Sequence, residues 1–308
     1  MRFNPKARLD SGQVRDAGRS RRGGISLPTG KVAGGGGLGL VLVIAFVVIT
    51  QFTGGGGSGL GGGGFDVTQL SSSGDASDTR RYDGCETGED AAESRDCARV
   101  AVVNSIQAFW ESQLREWAGV DYVEARTVTF SGSVDTGCGR AGSDTGPFYC
   151  PAPGDMQVYE DTSFYRDVLV KQLRGPDHEF VEWYVLGHEY GHHIQNITGQ
   201  MREVKTQHGS DSDAVKLELQ ADCYAGLWVQ HAVNTADDHG ETLFVEGPSN
   251  EEIAWAVKAA QAVGDDHIQK VSSGRIDPDR WTHGSSAERE AMFRKGYAGT
   301  YADCDVWR

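Results

Sequence analysis

The sequence predicts an α+β chain, mainly helical with a small sheet, preceded by one transmembrane helix and a flexible Gly-rich stalk. Three observations carry this prediction: helix-length apolar runs between residues 95 and 297, short alternating segments between residues 127 and 160, and an uncharged stretch near residue 40 followed by repeated glycines.

In chain order, residues 1–31 carry eight Lys or Arg against two Asp and lack a hydrophobic pattern, so they read as a basic tail that does not fold alone. Val32 to Thr53 contributes 22 uncharged residues with an apolar centre from Leu38 to Ile49. About 20 such residues suffice to span a bilayer, and no small-residue cleavage site follows. Basic residues precede this segment and none occurs between it and Arg80, so the positive-inside rule predicts a single-pass cell-membrane protein with a cytoplasmic N-terminus. Residues 54–94 are rich in Gly, Ser and Asp and read as the stalk. Residues 95–308 are enough for one substantial extracytoplasmic core.

Within that domain, Val102, Val103, Ile106, Phe109, Trp110, Leu114 and Trp117 recur at helical spacing and predict a long amphipathic helix. Thr127-Val128-Thr129-Phe130 and Met156-Gln157-Val158-Tyr159-Glu160 have the β-branched and aromatic character of short strands. Glu179 to Thr198 contains no proline and stops at Gly199, a natural helix terminator. Further helices are predicted from about Asp213 to Val233, from the Ser249 cap to Ala262, and from Ala287 to Tyr297. Gly187 and Gly191 lie four apart inside their helix, each costing about 1 kcal/mol relative to Ala. Something must therefore pack closely against that strip.

The chemistry is concentrated at His188-Glu189-Tyr190-Gly191-His192, an HExxH pattern. Residues four apart share one helix face, so both imidazoles can converge on one Zn²⁺, with Glu189 beside the open position as general base for water. Catalytic zinc sites commonly use three protein ligands. The third is assigned to Glu218, on the next helix. Asp222, four residues on, would accept the free N–H of a ligating histidine, His188 first of all. His193 points about 100° away around its helix and is a poor ligand. His283, in Thr-His-Gly-Ser-Ser, is the candidate donor to a carbonyl oxygen that gains negative charge.

An HExxH helix followed by ExxxD on a second helix resembles the gluzincin class. Gly146-Pro147-Phe148-Tyr149-Cys150-Pro151, His188 through Asn196, Glu218 through Cys223, and Thr282-His283-Gly284-Ser285-Ser286 more narrowly resemble the YpfJ-like family of bacterial neutral zinc metallopeptidases. The likeness covers roughly residues 95–308. It implies a zincin-like domain, Zn²⁺ as cofactor and a peptide or protein substrate. In zinc peptidases of this build an edge strand beside the metal pairs with extended substrate, and Met156–Glu160 is the expected strand.

All six cysteines follow the hydrophobic segment, and an even count in an oxidising compartment suggests disulfides. Fifteen connectivities are possible. Proximity favours Cys138 with Cys150, leaving Cys85 with Cys97 and Cys223 with Cys304 as the remaining short and long pairs. The chain carries 29 basic and 44 acidic residues; beyond residue 31 the balance is 21 against 42. A net charge of that sign disfavours nucleic acid and anionic lipid as partners. Two rival readings are a tethered zincin-fold binding or scaffolding module without turnover, and a structural zinc site closed by four ligands, His208 being the spare.

Overall fold

The computed structural model describes residues 1–19, 78–143, 145–237 and 240–307. Its helices are α1 (Gly88–Glu93), α2 (Arg95–Ala118), α3 (Glu179–Ile197), α4 (Asp213–His231), α5 (Asn250–Ala262), α6 (Asp265–Ser273) and α7 (Ser286–Ala298). Side-chain caps set their starts. Ser94, Ser212, Ser249 and Ser285 each accept a backbone N–H of the first turn, and Ser249 with Glu252 and Ser285 with Glu288 form reciprocal capping boxes. Gly199, just beyond α3, is left-handed at φ 83°, which explains the glycine read there as a terminator.

Helix α2 departs from the amphipathic expectation. From Cys97 to Gln107 every side chain is buried. The face expected to meet water is covered by the N-terminal residues, with Asn104 Nδ2 donating to Asp10 O at 3.0 Å and to Gln13 Oε1 at 2.8 Å. Arg99, on the same helix, reaches Glu182 of α3 at 2.7 Å and lies 3.4 Å from Glu160. Burial pushes the Glu160 carboxyl up to about 8 against the pull of Arg99.

Helix α4 lies between α3 and α7, and glycines set both contacts. A Cβ on Gly187 would lie 3.0 Å from the Trp228 ring and 3.3 Å from Ala225 Cβ; one on Gly191 would lie 3.0 Å from Ala221 Cα. The strip predicted to be closely packed is therefore the α3–α4 interface. On the other side, a Cβ on Gly226 would approach Phe293 O to 2.1 Å and one on Gly296 would approach Cys223 O to 1.8 Å. Backbone meets backbone there.

The main sheet has the order β2-β3-β7-β6, formed by Val14–Arg19, Thr127–Ser131, Gln157–Asp161 and Phe148–Cys150. β3 runs parallel to both β2 and β7, with Thr127 opposite Val14 and Val158, and β6 is antiparallel to β7. Both segments expected to be strands are strands, and they pair with each other in parallel. The edge role expected of Met156–Glu160 fails, because β7 has neighbours on both sides; β6 is the edge on that flank. Two small ribbons complete the strands, β1 (Arg2–Phe3) with β8 (Phe244–Glu246) and β4 (Ser133–Thr136) with β5 (Gly139–Gly142).

The N-terminal residues correct the expectation of a separate basic tail. Residues 1–19 supply β1 and β2, and Phe3 stacks 5.0 Å from Phe244 and meets Trp183 at a tilt, 5.3 Å away. Three buried apolar side chains, Phe3, Ala7 and Val14, suffice because each enters a core made by other elements. The body also begins before residue 95: Tyr82 is buried against Thr129, and α1 follows. The anchor expected at Val32–Thr53 lies outside the described residues, as does the stalk up to residue 77. Among the described residues, no helix is long and apolar enough to cross a membrane. A single crossing at residues 32–53 would also separate strands that are hydrogen-bonded to each other.

The disulfides are Cys85–Cys97, Cys138–Cys150 and Cys223–Cys304, the pairing that proximity favoured. The third fastens α4, one residue beyond Asp222, to the C-terminal turn.

Gly296→Ala, which forces a methyl into the Cys223 carbonyl, should destabilise the fold by roughly 1–3 kcal/mol and lower Tm by several degrees in thermal melts. An unchanged Tm would mean that α4 and α7 do not meet at backbone distance.

Candidate metal centre

Helix α3 presents His188 and His192 on one face, and the glycine contacts bring α4 close enough for Glu218 to sit across from both. His188 Nε2 lies 3.2 Å from Glu218 Oε2, and His192 Nε2 lies 3.4 Å from Glu218 Oε1. Two tetrahedral zinc ligands with bonds of about 2.0–2.1 Å are separated by roughly 3.3–3.4 Å, so this donor set fits Zn²⁺. Among the described residues it is the one cluster of His, Cys, Asp and Glu donors close enough to share a metal, all within 4.8 Å.

A layer of hydrogen bonds fixes each histidine of the cluster. Asp222 Oδ1 lies 2.9 Å from His188 Nδ1; a carboxylate only accepts, so Nδ1 carries the proton and Nε2 is left as the donor atom. Arg289 of α7 holds Asp222 bidentately, Nε to Oδ2 at 2.8 Å and Nη2 to Oδ1 at 2.9 Å, while the Tyr184 hydroxyl donates to Oδ1. His192 is oriented by Gln195, whose Oε1 lies 2.8 Å from Nδ1. Gln195 is itself pinned, donating to Leu217 O at 2.7 Å and Gln220 Oε1 at 3.1 Å.

These contacts set the charges. Burial would raise the Asp222 carboxyl, but Arg289 and His188 hold it down to about 2. Burial likewise opposes ionisation of Glu218, yet His192 and His188 keep it well below the usual carboxylate range. Glu218 is therefore anionic. Glu189 differs in kind: burial pushes its carboxyl up, partly offset by His188 and His192. Its Oε2 is buried and accepts no hydrogen bond.

His283 is 5% exposed and lines the same cavity as His188, Glu189 and Glu218. Asp265, the first residue of α6, holds its loop by accepting the backbone N–H of Thr282, His283 and Gly284 at 2.7, 2.6 and 3.1 Å. It also lies 3.2 Å from His283 Nδ1. Burial disfavours the imidazolium, but Asp265 and Glu218 together raise its pKa.

The other described histidines lie outside the donor cluster. His193 turns away to Tyr149 OH at 3.0 Å and Val123 O at 2.5 Å, and burial holds its pKa down to about 4. His178 caps α3 and stacks on Trp255, and His208 is exposed and outside the donor cluster. Sequence reasoning missed Arg289, Gln195 and Asp265. Gln195 was recoverable, being three residues from His192 on one helix face. Arg289 and Asp265 gave no signal, because a buried charge with a distant partner looks like a surface charge in the sequence.

The model of the family described as "Putative neutral zinc metallopeptidase" matches residues 1–307. An uncharacterized protein of Mycobacterium tuberculosis, Rv2575, is 42% identical over 225 residues, covering 72% of this chain and 74% of that protein. Uncharacterized YpfJ of Escherichia coli K12 is 35% identical over 252 residues, covering 79% and 81%. No solved structure matches.

Zinc titration should separate the two layers. Glu218→Ala should abolish stoichiometric zinc, whereas Gln195→Ala and Asp222→Asn should each weaken affinity about 10–100-fold, the usual effect of losing a partner that orients a ligand. Undiminished zinc affinity in Glu218→Ala would remove Glu218 from the ligand set.

Proposed function

Because this chain belongs to the neutral zinc metallopeptidase family, we propose that it hydrolyses peptide bonds, with His188, His192 and Glu218 holding Zn²⁺ and Glu189 as general base. The observation that carries this reading is Glu189, a buried carboxylate with an unpartnered oxygen beside a three-donor cluster. Burying such a group without a partner costs free energy and contributes nothing to the fold. A scaffolding module without turnover would have no use for it. A closed four-ligand site is also disfavoured, since no fourth donor joins the cluster among the described residues.

When bound, Zn²⁺ supplies Lewis acidity that polarises a carbonyl and lowers the pKa of water towards about 7. Glu189, its proton affinity raised by burial, takes the proton of the attacking water and returns it to the leaving amine. His283, fixed through Nδ1 by Asp265, presents its other nitrogen as a donor to the carbonyl oxygen as charge develops. Asp222 and Arg289 keep the His188 ring from rotating. Pro147, just before β6, forms part of the cavity wall.

Three disulfides suit an oxidising compartment outside the cytoplasm. The pairing of β2 with β3 further implies that residues 1–19 lie on the same side of any membrane as the catalytic body.

Glu189→Gln should retain one zinc per chain while kcat/KM on peptides falls by at least about 10²-fold. Chelation of the wild-type protein should abolish cleavage, with recovery on adding zinc. Full activity in Glu189→Gln would sink the mechanism. For location, a membrane-impermeant maleimide should label Lys6→Cys and Glu251→Cys alike in intact cells. Labelling of only one of them would restore a single crossing between them.

A further inference from the structure

Two glutamines lie fully buried in series behind the donor cluster, Gln195 on α3 and Gln220 on α4, the latter between Glu218 and Asp222 in the sequence. A buried amide is costly unless its donors and its acceptor are used. Here they form one line. Gln220 Nε2 donates to Cys304 O at 3.0 Å, Gln220 Oε1 accepts from Gln195 Nε2 at 3.1 Å, and Gln195 Oε1 faces His192 Nδ1 at 2.8 Å. Trp307 Nε1 adds a longer contact to Gln220 Oε1 at 3.4 Å.

The line has a direction. A backbone carbonyl only accepts, so Cys304 O holds the nitrogen of the Gln220 amide and turns its oxygen towards Gln195. Gln195 then donates to Gln220 and to Leu217 O, which leaves its own oxygen for the imidazole. His192 is thereby a donor at Nδ1 and keeps the Nε2 lone pair on the side that faces Glu218. At its far end the line is held by the turn Tyr301–Cys304, which the Thr300 and Asp303 capping box shapes and the buried Cys223–Cys304 disulfide ties to α4.

From this geometry we infer that Gln220 and the C-terminal turn are positioning elements of the metal centre, fixing the tautomer and ring orientation of His192 through Gln195. The inference rests on the zinc-binding reading proposed above. It gives the Cys223–Cys304 disulfide a second task, since that bond holds the carbonyl from which the line takes its direction.

The test compares the wild type with Gln220→Met, of similar length and volume, and with Cys223→Ala combined with Cys304→Ala, which frees the turn and leaves both amides in place. Two quantities are read on the full chain: zinc affinity by competition with a chelator, and the side-chain nitrogen NMR signals of His192 in the metal-free protein at a pH where the imidazole is neutral. The wild type should carry the His192 proton on Nδ1. Both variants should show mixed tautomers and bind zinc about tenfold more weakly, the low end of what losing an orienting partner costs. A role in packing alone would lower Tm and move neither quantity. Unchanged zinc affinity and nitrogen signals in the folded variants would overturn the inference and leave the metallopeptidase reading intact. So would a wild-type His192 protonated at Nε2, a measurement that needs no variant. A wild type that binds no zinc would overturn both.

Discussion

The close approach of α3 and α4 is the constraint on which the rest of the structure depends. Gly187 and Gly191 on one helix meet Ala221 and Ala225 on the other, and a Cβ at either glycine would already be tight. Only at that separation can the short Glu218 side chain reach both imidazoles, and the shorter Asp222 reach His188. The roughly 1 kcal/mol that each glycine costs in a helix is offset by what the contact places. The same device recurs at Gly226 and Gly296, which bring α7 close enough for Arg289 to reach Asp222.

That packing creates an electrostatic problem and resolves it locally. Four ionisable side chains, Glu218, Asp222, His188 and Arg289, lie within a region almost closed to water. Each is costly alone, and each has a partner of opposite sign or a defined hydrogen bond. Glu189 is the exception. One of its oxygens, beside the donor cluster, has no hydrogen-bond partner.

How much of this could be read in the sequence depended on distance along the chain. Serine caps, apolar spacing and the glycine terminator defined α3, α4, α5 and α7 closely, because these signals act within a few residues. The donor set was equally legible, since spacings of four place His188 with His192 and Glu218 with Asp222 on common faces. Properties set by distant contacts were not. Strand order made β7 central rather than an edge, and Arg289 and Asp265 acquire meaning only from partners far along the chain. Residues 1–19 escaped notice because short strands with three buried side chains do not make a hydrophobic pattern.

The N-terminal residues also change how the molecule is organised. They cover α2 and complete one side of the main sheet, so the body that carries the donor cluster is assembled from segments far apart in the chain. The central claim concerns the centre of that body. X-ray absorption at the zinc edge of the zinc-loaded protein tests it most directly. The account predicts two imidazole nitrogens, one carboxylate and one exchangeable oxygen; a centre closed by four protein ligands, or one containing sulfur, would contradict it.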